Sequence, residues 1–114
     1  MRRTVLPLVL LTSVAAAPPA RAPDCSGPDR WAAGTAFTNL KNEGAIASDT
    51  VDFEHVTSTT IVSEQIGRDL WRQAFRVIFP LKSGNRVEAI VVSDASSEEC
   101  SMSHSQVFII SKAL

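Results

Sequence analysis

Tyrosine is missing from this chain, and histidine occurs only as His55 and His104. Both shortages thin the usual supply of groups that move protons near neutral pH. Cysteine is as scarce, with Cys25 and Cys100 the only pair. Zinc sites show paired short spacings such as C-x-x-C or H-x-x-x-H, and neither is present. No glycine-rich loop of the phosphate-cradling type appears, and no internal repeat. Neither sign of charge dominates, since 11 basic side chains stand against 12 acidic ones. A nucleic-acid binder needs a basic stripe, so that class of function is excluded.

What is present begins with a leader. Met1-Arg2-Arg3 is basic, Val5 to Val14 is apolar, and AAAPPARA follows with small residues. That order is the pattern of a secretory signal peptide. The apolar run is about ten residues, half of the roughly 20 that span a bilayer. Cleavage is expected after Ala16 or after Ala22. Proline directly behind the second point favours the first. A lipid anchor would want a small residue before Cys25, where Asp24 stands. The chain therefore reads as exported, periplasmic or secreted, with no membrane anchor and a single domain over 23–114. Loss of Arg2 and Arg3 with the leader takes the eleven basic side chains to nine against twelve acidic, a net of −3.

A domain of roughly 90 residues is hard to stabilise by burial alone. In an oxidising compartment two lone cysteines pair, and the Cys25–Cys100 loop would contribute about 4 kcal/mol in the chain-entropy account. A nucleophilic Cys100 would instead need to stay free with His104 or His55 in reach. A metal site from Cys100, His104 and Glu98 or Glu99 would have each ligand type only once locally. The bridge is the expectation, with no cofactor and no metal.

Pro28 to Asn42 carries helical spacing, with Ala33, Ala36, Phe37 and Leu40 on one face. Pro28 and Asp29 suit a first turn, and Gly44 suits a left-handed cap. Trp31 falls on the opposite side of the helix, either over the bridge or as an exposed contact. Ala45 to His55 reads as a connection pinned by Ile46, Val51 and Phe53. β-Branched residues then predict strands at Val56–Glu64, Leu70–Leu81, Asn85–Asp94 and Gln106–Lys112, with Gln65–Asp69 as a turn.

The second hairpin sets its own register. With Lys82-Ser83-Gly84 as a three-residue loop, Phe79 faces Val87, Val77 faces Ala89 and Phe75 faces Val91. The other side pairs Ile78 with Glu88, Arg76 with Ile90, Ala74 with Val92 and Arg72 with Asp94. One face is wholly apolar and the other mixes charge with aliphatics, a division that a one-residue slip would destroy. The expected fold is α+β, one N-terminal helix on the apolar face of a four-stranded antiparallel meander. In the order of its elements this outline resembles the cystatin-like shape. The resemblance implies a hairpin loop that plugs cysteine proteases; Gln65-Ile66-Gly67 is the nearest echo of that glutamine-valine-glycine loop, one spacing element short.

Three places depart from a plain division of core and surface. The second sheet face carries Arg72, Arg76, Ile78, Glu88 and Ile90, with Ala74 and Val92. Its bland reading is a solvated face whose aliphatics lie under arginine arms. The hairpin tip adds Arg68 and Trp71, residue types enriched at interface centres, although Trp71 has the parity of the core residue Phe75. The loop from Asp94 to Ser105 packs one cysteine, one histidine, three carboxylates and five serines. A serine triad there would need an oriented histidine and an oxyanion hole. Together these features predict a small exported protein-binding module, not an enzyme, in the form of an inhibitor or immunity-type partner of an exported enzyme. The candidate contacts are Arg68, Trp71, Arg72, Arg76, Ile78, Glu88 and Ile90, and the partner is an unknown protein of the envelope or the outside. The alternative is a carrier with an apolar pocket between helix and sheet. An enzyme using the Asp94–Ser105 loop is more remote.

Overall fold

The central hairpin joins β2 (Leu70–Pro80) to β3 (Arg86–Ala95). Its ladder pairs Phe79 with Val87, Val77 with Ala89 and Phe75 with Val91, in the register anticipated from alternation alone. Gly84, at φ 95°, supplies the left-handed residue that closes the loop. Leu81 N–H donates to the Asn85 carbonyl at 2.7 Å and completes the turn. The computed structural model describes residues 3–7 and 21–113. Most of the apolar leader and the Ala16 cleavage point lie outside those residues.

β1 (Thr57–Gly67) and β4 (Gln106–Ala113) flank the hairpin, giving an antiparallel sheet in the order β1-β2-β3-β4. The helix α1 (Trp31–Asn42) lies on its apolar side, and the Cys25–Cys100 disulfide is formed, with Cα atoms 5.8 Å apart. The architecture is thus the α+β arrangement expected: one helix on a four-stranded meander, with one disulfide.

Several strand ends move by a single residue, and three larger differences stand out. The helix starts at Trp31 rather than Pro28 because Gly27, at φ 115°, opens a tight turn. Pro28 takes the second position of that turn, which closes from Arg30 N–H to the Gly27 carbonyl. The first strand is longer than expected and runs through Gln65, Ile66 and Gly67, with only Arg68 and Asp69 in the turn. Bulges at Ile61 and Ile66 absorb the extra residues. Phe53 to His55 forms a short 3-10 turn inside the connection. The cap at Gly44 (φ 74°) is as anticipated, with Ala45 N–H on the Leu40 carbonyl and Gly44 N–H on that of Lys41.

Packing follows from these placements. Ala32, Ala33, Ala36 and Leu40 of the helix are buried against Phe75, Val77, Phe79, Val87, Ala89 and Val91. Three alanines in the buried stripe leave the space to the sheet's phenylalanines, which fill it. Val107 of β4 packs on the margin of this cluster. Phe53 stays half exposed and meets Phe37 edge-on, with ring centroids 5.1 Å apart. Trp31 is 43% exposed and lines a shallow cleft on the outer side of the helix with Thr35, Thr38 and Asn39.

Phe75 is fully buried, so Phe75→Ala is expected to lose about 3–5 kcal/mol of stability in urea unfolding. Replacing both cysteines by alanine should cost about 2–5 kcal/mol, read by thermal unfolding against the oxidised chain. A mass on unreduced protein two hydrogens heavier than the oxidised form would deny the bridge.

Candidate functional site

The face of the sheet turned away from the helix is assembled from all four strands. β2 contributes Arg72, Ala74, Arg76 and Ile78, and β3 sets Asp94, Val92, Ile90 and Glu88 opposite them. The bulge at Ile61 shifts the parity of β1, so Val62 and Glu64 join Thr57 and Thr59 on this side. β4 adds Gln106 opposite Val92 and Phe108 opposite Ile90.

Its charges are locked together. The Glu88 carboxylate accepts from Arg76 through Nη2 at 2.5 Å and Nε at 3.2 Å. The second Glu88 oxygen takes Arg86 Nε at 3.1 Å. Roofed by two guanidiniums, the Glu88 side chain keeps only 4% of its surface in contact with water. The hydrogen bond from Arg76, joined by the charges of Arg76 and Arg86, outweighs burial and holds Glu88 below its ordinary pKa of 4.5. Arg72 pairs in parallel fashion with Asp94, at 3.0 and 3.3 Å. The Asp94 hydrogen bond raises the Arg72 pKa, with Asp94 and Glu64 charges adding to it. Between these pairs Ile78, Ile90 and Val92 are half buried. At the two margins Val62 and Phe108 remain 49% and 51% exposed.

Not every expected contact residue belongs to this surface. Trp71 is 6% exposed and lies opposite Ala95 on the helix side, with the parity of Phe75. Its inclusion among the surface contacts is corrected by that burial. Arg68 sits in the two-residue turn at the end of the β1–β2 hairpin, apart from the arginine ladder. Gln65 to Gly67 is strand paired with β2, and Gln65 Nε2 donates to the Arg68 carbonyl, so no free plug loop exists there.

The loop from Asp94 to Ser105 uses its polar groups on its own backbone. Ser96 Oγ accepts from Glu98 and Glu99 N–H, and Ser103 Oγ accepts from Asp94 N–H. Ser97 donates through N–H and Oγ to the Asp69 carboxylate, tying the loop to the hairpin tip. With Cys100 in the bridge and Ser96 and Ser103 capping backbone, no nucleophile–histidine pair forms among the described residues. One feature escaped sequence reasoning: the two ends of this loop and the outer face share an open cleft of about 460 Å³. Arg72, Asp94, Ser103, His104 and Gln106 line it. Both strands were legible, but not that the loop between them folds back to set Ser103 and His104 beside Arg72. A second such feature is the group of half-buried Asp52 with exposed Glu54 and His55, in which His55 Nδ1 meets Asp52 Oδ2 at 2.7 Å.

Comparison with family models, with characterised proteins and with solved structures returned no match.

Because the folded-state pKa of Glu88 is depressed, its contribution to stability is present above pH 4.5 and fades as pH falls through the lowered value. Glu88→Gln should therefore be less stable than wild type at neutral pH, and the two should converge in acid. Urea midpoints across that range test this, and a gap independent of pH would contradict it.

Proposed function

We propose that this chain is an exported protein-binding module whose outer sheet face receives another protein, in the role of an inhibitor or immunity-type partner of an exported enzyme. The observation that carries the reading is the Arg86–Glu88–Arg76 ladder, held in place between exposed Val62 and Phe108. Charges already fixed against one another lose little further freedom on docking, which lowers the cost of association. Apolar margins supply contact area, and arginine is favoured where binding energy concentrates.

Export is supported by the leader pattern and by the disulfide, which persists in oxidising compartments. No helix among the described residues is long and apolar enough to cross a membrane. The reading assigns no catalysis to the chain, since the cysteine pair is consumed by the bridge and Ser96, Ser97 and Ser103 are engaged in holding the loop. The carrier alternative gains no support from the helix–sheet interior, where Leu40, Phe75, Val77, Phe79 and Val87 are at most 1% exposed.

A photo-crosslinking residue placed at Val62 or Thr59 tests the face, with Thr38 on the exposed side of the helix as control. In the exported fraction of the host, a discrete adduct is expected from Val62 and Thr59, absent from Thr38 and competed away by unmodified protein. Equal labelling from all three positions, or none from the sheet, would remove the proposal.

A further inference from the structure

On the helix side of the sheet one cross-strand row is polar from end to end. Ser63 of β1 pairs with Gln73 of β2, and Gln73 pairs with Ser93 of β3. Ser93 lies two residues beyond Val91, and Ser105 two residues before Val107, its partner across the β3–β4 ladder. Alternation sets both serines on the side of the helix. Gln73 and Ser93 are 1% and 2% exposed, and Ser105 is half buried. Gln73 Oε1, Ser93 Oγ and Ser105 Oγ are all closed off from solvent, and none has a hydrogen-bond partner among the described residues.

The direction of the Gln73 amide is fixed by its neighbours. The Pro23 carbonyl can only accept, so it takes Nε2 at 3.1 Å, and Nε2 also reaches Ser63 Oγ at 3.2 Å. Ser63 stands on β1, so Oε1 is turned the other way, towards β3 and Ser93. An amide oxygen only accepts, whereas a hydroxyl both donates and accepts. The occupant that satisfies all three must therefore be small, neutral and able to do both. A cation would bring a charge that no carboxylate of the row could balance.

We propose that this row holds one internal water, which donates to Gln73 Oε1 and to one serine hydroxyl and accepts from the other. That makes three hydrogen bonds, and about three is usual for a buried water. The serines are smaller than the valines one step along, which suits an occupant of roughly 30 Å³. The ladder between β3 and β4 ends at Val92–Gln106. The water carries the cross-strand link one step further and joins both ends of the Asp94–Ser105 loop to Gln73, and through it to the crossing at Pro23. Because the row lies on the helix side, the inference does not rest on the partner-binding reading of the outer face.

Oxygen-17 relaxation dispersion of the oxidised chain, which counts waters held for longer than the protein takes to tumble, tests the proposal. At least one such water is expected. Ser93→Val and Ser105→Val should each lower the count by one per molecule. Thr38→Val, on the exposed side of the helix, should leave it unchanged. Ser105 is only half buried, so its variant keeps the test if Ser93→Val does not fold. A wild-type chain with no long-lived water overturns the proposal, and so does a count that either folded serine variant leaves unchanged.

Discussion

The pairing of β2 with β3 decides which side of the sheet is dry. Phe75, Val77 and Phe79 alternate with Arg72, Ala74, Arg76 and Ile78, and β3 repeats the alternation opposite them. A slip by one residue would drive the arginines under the helix and turn phenylalanine to water. The helix can therefore settle on only one face, and the charged ladder can form only on the other. The shortness of the alanine stripe on the helix, set against bulky sheet residues, completes the same division.

The disulfide acts on this arrangement from outside the hairpin. It ties the segment before the helix to the loop between β3 and β4, elements separated by 75 residues. That loop is also fastened by Ser97 to Asp69 at the hairpin tip and by Met102 N–H to the Asp94 carbonyl. Residues that resemble catalytic letters when read in a row are thus spent on holding a turn. A serine beside a free backbone N–H is more often a cap than a nucleophile. Here Ser96 and Ser103 play that part.

Gln73 belongs to the same end of the molecule and has a different character. It is buried on the helix side, donating from Nε2 to the Pro23 carbonyl and to Ser63 Oγ. Ser93, directly opposite it on β3, is buried as well. A polar patch interrupts the apolar face where the chain before the helix crosses the sheet. The hydrogen bond to Pro23 gives that crossing a fixed position, which an all-apolar contact would leave free to slide.

Alternation and glycine placement were enough to read the second hairpin, the cap at Gly44 and the four strands, because those features arise from neighbours in sequence. The cysteine pair was legible by count, as the only two in the chain. Trp71 showed its core parity in the sequence, and only its burial decided against a surface role. The bulge at Ile61 left no comparable trace, since Thr60, Ile61 and Val62 are all good strand residues. That bulge nevertheless moves Val62 and Glu64 onto the outer face. The ion pairs of Glu88 with both Arg76 and Arg86 likewise depend on side chains meeting across and along strands. The sequence by itself determined the elements, their register at the central hairpin and the covalent tie, all properties of local pattern. Tertiary structure alone decided which charges meet and where the returning loop lies, because those depend on distances between segments far apart in the chain.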